Sequence, residues 1–240
     1  TGTDKCALSS GVVPVNCETL RLFCGITGAD LPADLGSLDG LTSAPGDFDG
    51  DPEGDTLYVW RDPAAGWLVH VELDNGYGMQ QVLGAPAEAM AALGGYDLNG
   101  DGIDEVFAQV GSHPRPVVAI GAVHQPPAGG AASCTLEGLQ FGSGAPARFA
   151  VGASTAPGVE PDNGLACRGG EHLLRQYVQV PWTTADFLQH RYDHAYEPRF
   201  GVAEPTLVPV ADSHVLFDWP EDRAAVERAR QFHCGGLALP

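Results

Sequence analysis

Two short acidic segments of this chain carry oxygen-bearing side chains at a spacing that suits a hard cation. Residues 47–55 read DFDGDPEGD, and residues 97–105 read DLNGDGIDE. Side chains at positions 1, 3, 5 and 9, with a backbone carbonyl at position 7, can converge on one Ca²⁺. The side-chain candidates are Asp47, Asp49, Asp51, Asp55, Asp97, Asn99, Asp101 and Glu105, and position 7 is Glu53 or Ile103. We therefore expect two calcium sites.

Tight turns are the alternative interpretation of both segments, because Asp-Gly and Asn-Gly pairs are common between strands. A turn does not require spaced carboxylates, and clustered like charges are costly without a cation that neutralises them. Position 6 differs between the segments, being Gly102 in the second and Pro52 in the first. Proline cannot adopt the positive φ that a sharp turn needs. We expect a weaker or distorted first site, with the Glu53 side chain drawn in as a ligand.

The two segments start at residues 47 and 97, and each runs into an apolar stretch, TLYVW at 56–60 and VFAQV at 106–110. A fixed period of about 50 residues is typical of propellers and other repeat proteins. The second segment resembles the D-x-N-G-D-G-x-x-D/E core of FG-GAP or VCBS repeats, the calcium-bearing blades of integrin-type β-propellers. The resemblance implies an all-β fold, a small or incomplete propeller of four to five blades, and calcium bound by the candidates above.

The rest of the chain predicts short strands separated by turns, with little helix. A C-terminal helix is expected at 218–234, where Asp218 can cap, Pro220 falls in the first turn and Gly235 ends the apolar stripe. The expected organisation is an N-terminal disulfide-clasped segment at 1–40, a repeat domain at 41–235 with calcium-bearing repeats at 44–85 and 94–139, degenerate repeats at 140–210, and the C-terminal helix packed on this domain.

Six cysteines, none in a C-x-x-C pair, indicate disulfides in an oxidising compartment outside the cell. Six cysteines allow 15 pairings, so spacing alone does not decide among them. The preferred pairs are Cys6 with Cys17, Cys134 with Cys167, and Cys24 with Cys234, the last joining the two ends of the domain. The polar start at Thr1 is expected if a signal peptide has been removed.

The formal net charge of −19 argues against nucleic acid as a partner, because phosphates would be repelled. Part of this excess is explained if cations occupy the two acidic segments. No apolar run reaches the roughly 20 residues needed to span a bilayer. A chain of 240 residues with 44% hydrophobic residues has enough apolar material for a full core.

Catalytic motifs are scarce in this sequence: no nucleophile elbow, P-loop or dinucleotide fingerprint is present. His190 and His194 have the i, i+4 spacing of a helical zinc site, but Arg191 stands where the metalloprotease pattern needs glutamate. The alternation of apolar residues around them suits a strand, which would separate the two rings. We expect packed or surface histidines and no zinc.

The expected function is that of a secreted calcium-binding β-repeat protein, a binding, adhesion or structural surface module in which calcium is structural. The expected partner is a protein or glycan ligand on one face. Two alternatives stay open. One is an extracellular hydrolase on a propeller scaffold, which a His/Asp/Glu cluster in a cleft would favour. The other is a subunit of a cell-surface assembly, which a large exposed apolar patch would favour.

Overall fold

Strands dominate the protein, as a computed structural model shows. The structure describes residues 5–7, 19–22, 24, 28–51, 53–84, 89–111, 115–124, 134–153, 162–168, 172–179, 188–199, 205–218 and 223–240. The strands are β1 (Lys5–Ala7), β2 (Thr19–Arg21), β3 (Asp39–Gly46), β4 (Asp55–Asp62), β5 (Gly66–Glu72), β6 (Gly78–Gly84), β7 (Ala91–Tyr96), β8 (Glu105–Gln109), β9 (Val117–His124), β10 (Thr135–Gly138), β11 (Gln140–Phe141), β12 (Arg148–Ala150), β13 (Asp162–Arg168), β14 (His172–Gln179), β15 (Leu188–Arg199), β16 (Thr206–Asp218) and β17 (Phe232–His233). The helical elements are a short 3-10 helix (Leu35–Ser37) and α1 (Arg223–Arg228). The predicted all-β class is confirmed in this coarse form.

Two four-stranded antiparallel meanders carry the acidic segments. Sheet I has the order β3-β4-β5-β6, and sheet II has the order β7-β8-β9-β10, with β12 also paired to β9. In each sheet the first two strands are joined by one acidic segment. The two meanders therefore share a strand order and the position of the acidic segment, and the repeat itself stays a prediction.

Sheet III is larger, with six strands in the order β11-β16-β15-β14-β13-β17. Its longest strands, β15 and β16, pair antiparallel. None of the sheets closes on itself among the described residues. The number of blades and the domain boundaries stay predictions.

Sheet II is buried on both faces at β8, whose five residues are all buried. Val106 and Ala108 belong to a core shared with Val59 and Val69 of sheet I. Phe107 points the other way, into a second core that includes Leu165 of β13 and Leu207 of β16. Alternate side chains of a strand point to opposite faces, so one strand contributes to both cores. Sheet II therefore lies between sheets I and III.

The disulfides differ from the expected pairing. Cys24 is bonded to Cys134, and Cys167 is bonded to Cys234. The predictions of Cys134 with Cys167 and of Cys24 with Cys234 are wrong, because the fold places Cys24 beside sheet II and Cys234 beside β13. Each end of the chain is thus tied to a different sheet. The predicted Cys6–Cys17 bond involves Cys17, which lies outside the described residues.

The C-terminal helix expected at 218–234 is not seen. The described part of this range holds only the six residues of α1 and then the strand β17. β17 pairs in parallel with β13, placing Phe232 opposite Leu165. The disulfide from Cys234 to Cys167 holds the chain against the same strand. These tertiary contacts override the local helical pattern.

Candidate metal centre

The two acidic segments form loops at equivalent places in sheets I and II. Loop 1 (residues 47–55) joins β3 to β4, and loop 2 (residues 97–105) joins β7 to β8. Position 2 of each loop is fully buried, as Phe48 in one and Leu98 in the other. These apolar anchors fix the loops on the cores. The predicted metal ligands of each loop are therefore attached to backbone that is anchored on the cores.

The two loops share one hydrogen-bond pattern. In both, backbone N–H groups at positions 2, 4, 5 and 7 donate to side-chain oxygens at positions 9, 1, 3 and 5. In loop 1 the donors and acceptors are Phe48 to Asp55 (2.7 Å), Gly50 to Asp47 (2.9 Å), Asp51 to Asp49 (3.1 Å) and Glu53 to Asp51 (2.8 Å). In loop 2 they are Leu98 to Glu105 (2.7 Å), Gly100 to Asp97 (2.6 Å), Asp101 to Asn99 (3.0 Å) and Ile103 to Asp101 (2.9 Å). Positions that correspond in the two sequence segments therefore make corresponding backbone hydrogen bonds.

Glycines at position 4 make the bend in both loops. Gly50 has φ 81° and Gly100 has φ 78°, a left-handed conformation that other residues rarely adopt. Gly102, at position 6 of loop 2, also has a positive φ of 86°. Pro52, the corresponding residue of loop 1, lies outside the described residues, so its expected effect on the first site stays a prediction.

Loop 1 gathers carboxylates into two overlapping groups. Oxygens of Asp47, Asp49 and Asp55 lie within 4.8 Å of one another, and so do those of Asp49, Asp51 and Asp74. Asp49, Asp51 and Asp55 are each only 2% exposed. Buried carboxylates this close repel one another unless protons or a cation neutralise them. Loop 1 is therefore a cluster that could hold a metal ion.

Asp74 is a member of this cluster that the sequence analysis missed. It follows β5 and lies near loop 1 because β4 and β5 pair with Thr56 opposite Glu72. Its N–H donates to Asp55 Oδ1 at 3.0 Å. The position of Asp74 could have been predicted from the hairpin pattern. A turn near residues 62–66 brings the residues after β5 beside the start of β4. Glu53, by contrast, is exposed and belongs to neither group.

The predicted residues of loop 2 are held together by hydrogen bonds, without a close group of three carboxylates. Asn99 replaces the aspartate of position 3, and its Nδ2 donates to Asp101 Oδ2 at 2.9 Å. Gly102 N–H donates to Asp97 Oδ2 at 3.0 Å. No three carboxylates of this fully described loop approach as closely as those of loop 1. Loop 2 is thus less acidic at its centre.

Burial raises the pKa of several of these acids. In loop 1 the pKa of Asp55 rises to about 7 and that of Asp47 to about 6, chiefly through burial, with neighbouring carboxylates adding to the effect. In loop 2 burial raises the pKa of Asp101 and, by a larger amount, that of Glu105. Hydrogen bonds from backbone N–H groups to Asp55 and Glu105 offset the effect of burial on the charged forms only in part. A bound cation would offset the remainder.

The loops are directly bonded to each other. Asp104 N–H donates to the Asp47 carbonyl at 2.7 Å, and Asp47 N–H donates to Asp104 Oδ2 at 3.0 Å. Asp104 occupies position 8 of loop 2, so it is not among the predicted ligands. The N-terminal segment also reaches loop 1, where Leu22 N–H donates to the Asp49 carbonyl at 2.7 Å. The two candidate centres therefore share one hydrogen-bonded framework.

The melting temperature of the calcium-free protein should fall as the pH rises from about 5 to about 8. Because the pKa of Asp55 in the folded state is about 7, above its ordinary value of 3.8, the folded state binds protons more tightly there. The stabilisation is present at low pH and is lost as the pH rises through about 7. Saturating calcium should flatten this profile, because the cation replaces the proton.

Thermal melts with chelator and with calcium across this pH range measure the effect. In the Asp55→Asn variant the fall in chelator should be smaller, because the substituted amide does not titrate. Parallel profiles with and without calcium would contradict the interpretation.

His190 and His194 both lie on β15. An extended strand advances about 3.3 Å per residue, so their Cα atoms are about 13 Å apart. His194 Nδ1 instead lies 2.6 Å from Asp212 Oδ1 on β16. Both residues therefore lie on an extended strand, as the alternation of apolar residues around them predicted.

Replacing both His190 and His194 by alanine should leave the fold and the calcium content unchanged. Circular dichroism and elemental analysis of the double variant and of the parent protein provide the comparison. Stoichiometric zinc in the parent, lost in the double variant together with a hydrolytic activity, would instead support an enzyme.

Comparison with protein-family models, curated proteins and solved structures finds no match for this chain. Among the described residues, no helix has the length and apolar character needed to cross a membrane.

Proposed function

We propose that this protein is a calcium-binding β-repeat module whose loops belong to FG-GAP or VCBS-type repeats. The observation that carries the proposal is the identical hydrogen-bond pattern of loops 1 and 2 on two meanders of identical strand order. Simple turns have no reason to reproduce four equivalent side-chain contacts. A repeated cation-binding unit does, because each contact orients an oxygen ligand.

Calcium is the cation that this donor set fits best. The candidates offer carboxylate, amide and carbonyl oxygens and no sulfur or imidazole, which excludes the usual ligands of structural zinc. Calcium accepts six to eight oxygens in flexible geometry, whereas magnesium demands a small octahedron. The role assigned to calcium is structural: it neutralises buried carboxylates and rigidifies the entry to β4 and β8.

A propeller-like arrangement of four to five blades is part of this proposal. Sheets I and II stack face to face across a common core, and their first strands, β3 and β7, lie side by side. Adjacent blades of a propeller pack in this way. Sheet III, with six strands, departs from the four-stranded blade, so the propeller would be an incomplete one.

The proposed setting is extracellular, with the protein acting as an adhesion or structural surface module for a protein or glycan ligand. The two disulfides of the described residues fit an oxidising compartment. Millimolar calcium outside cells would fill sites of modest affinity. Each bound calcium ion would reduce the magnitude of the net charge of −19 by two.

The hydrolase alternative gains no support from the cleft of about 200 Å³ that lies between sheets I and II. Its polar lining side chains are Gln81, Gln140 and Arg148, and the rest of its lining is apolar or glycine. Acid-base hydrolysis needs paired titratable groups near the substrate, and the described lining of this cleft holds no such pair. The cleft is better suited to contact than to chemistry.

Isothermal titration should find two calcium ions per chain. Asp49→Ala removes the residue shared by both groups of loop 1, and Asp101→Ala removes the central ligand of loop 2. Each variant should bind one calcium ion fewer, because the two loops supply separate ligand sets.

Asp39→Ala is the matched control, because Asp39 is exposed on β3 away from both loops. It should retain two ions. Absence of calcium binding in the parent protein would refute the proposed function. Loss of both ions in each loop variant would instead show that the sites do not bind independently.

A further inference from the structure

Among the described residues, most of one edge of strand β16 has no strand partner. β11 pairs with it only at Thr206 and Leu207. Within the ranges that the structure describes, β15 and β11 are its only strand neighbours. The stretch from Pro209 to His214 is exposed, with Val210 41% exposed and the Asp212 side chain 71% exposed. Open strand edges of this kind are templates for pairing with another strand.

We propose that this edge pairs antiparallel with β16 of a second copy of the chain, about a twofold axis at Ser213. The pairing would join two copies of sheet III into one continuous sheet. Its backbone contribution would be a ladder of N–H and C=O groups on the side of β16 that, beyond Leu207, has no strand neighbour within the described ranges. Its specificity comes from the side chains that the twofold axis places opposite one another.

The register of the two β16 strands follows from which cross-strand side-chain pairs the sequence favours. In an antiparallel pair, directly opposed residues point to the same face of the sheet. The twofold axis also keeps each side chain on its own face, so the axis must pass through a residue and not between two residues. At Ser213 it places Asp212 opposite His214 of the second copy, and the reverse, so that two complementary pairs form. The same register sets Val210 opposite Leu216 and Ala211 opposite Val215.

The neighbouring registers would form less favourable side-chain pairs. An axis at Asp212 opposes two carboxylates, which repel. An axis at His214 opposes two imidazoles and sets Asp212 against Leu216. An axis at Ala211 sets Asp212 against Val210. Self-complementarity about one residue is a property that only a second copy of this strand can use, which is why we favour a second copy over another extended peptide.

Pro209 bounds the ladder. Proline has no N–H to donate and is confined to edge strands within sheets, which is where Pro209 lies. Pairing would therefore run from Val210 toward the end of β16, and Pro209 would limit extension beyond this window. This feature favours a closed pair of copies over an open aggregate.

The net charge of −19 sets the conditions for association. Two copies repel over long distances, while the Asp212–His214 contacts are short. Salt screens the long-range repulsion, with a Debye length of about 8 Å at 0.15 M. Association should therefore strengthen when the ionic strength is raised from about 0.01 M to about 0.15 M.

Sedimentation equilibrium of the full oxidised chain in calcium tests the proposal. The mass should rise with concentration from that of one chain toward that of two. Asp212→Lys should weaken association at least tenfold, because it places lysine opposite His214. Adding His214→Asp to that variant should restore association, because each lysine then faces an aspartate.

Asp39→Lys is the matched control, since it makes the same change in charge at a side chain that is 73% exposed on β3. It should associate no less than the parent. Rescue by the double variant also separates edge pairing from the loss of the His194–Asp212 contact, which both Asp212 variants share. A parent that stays a single chain at all concentrations, or equal behaviour of Asp212→Lys and Asp39→Lys, would overturn the proposal. So would a single chain that captures an extended peptide along this edge.

Discussion

Removing calcium with a chelator should lower the melting temperature by roughly 5 to 10 °C for each occupied site. A ligand bound only by the folded state stabilises it by RT ln(1 + [L]/Kd), about 2.7 kcal/mol at a hundredfold excess over Kd. For a chain of this length, each kcal/mol corresponds to about 2–4 °C. The effect is large because the buried carboxylates of loop 1 and the buried Glu105 of loop 2 then lose their counter-charge.

Scanning calorimetry with chelator, calcium or magnesium gives the measurement. Calcium should restore the melting temperature more fully than magnesium, because the loops offer many oxygens in irregular geometry. Asp39→Ala again serves as the control and should respond as the parent does. An unchanged melting curve in excess chelator, with no metal found by elemental analysis, would refute both calcium sites.

Replacing Cys24 and Cys134 together by serine should cost about 4 to 5 kcal/mol of unfolding free energy in the chain-entropy model. The bond joins residues 110 apart, so it removes much freedom from the unfolded chain. The Cys167–Cys234 bond spans 67 residues, and its paired replacement should cost about 4 kcal/mol. Denaturant unfolding of the two double variants provides the measurement.

Peptide mapping under non-reducing conditions is the independent check on the pairing. It should recover Cys24 linked to Cys134 and Cys167 linked to Cys234. Recovery of Cys24 with Cys234 would contradict the structure and revive the idea that one bond joins both ends. A paired replacement that leaves the unfolding midpoint unchanged would show that the bond does not constrain the unfolded chain as the model assumes.

The local part of the candidate site could be read from the sequence. Both loops are formed by contiguous residues, and the four hydrogen bonds that the loops have in common link positions at most seven residues apart. Spacing therefore identified the side chains whose oxygens accept these hydrogen bonds, although the Glu53 side chain, which was expected as a ligand, is exposed. Asp74 was missed because it reaches loop 1 only through the register of the hairpin formed by β4 and β5.

Long-range features were predicted poorly, for a physical reason. Cysteine spacing does not reveal which strands come together, so the choice among 15 pairings had no physical basis. The C-terminal range has a good helical pattern, but β17 gains backbone pairing with β13 and is held there by Cys234. Local propensity is a weak guide where a strand partner and a covalent bond compete with it.

The burial of sheet II on both faces bears on how the chain can be dissected. The repeat predicted at residues 94–139 would be an obvious fragment to express alone. Excised there, β8 would expose Val106 and Ala108 on one side and Phe107 on the other, all of which are buried in the intact protein. A unit that is apolar on both faces cannot fold alone, because it needs a neighbour on each side. The boundaries of the sequence repeat are therefore not boundaries of autonomous folding, and fragments intended for expression should keep sheets I to III together.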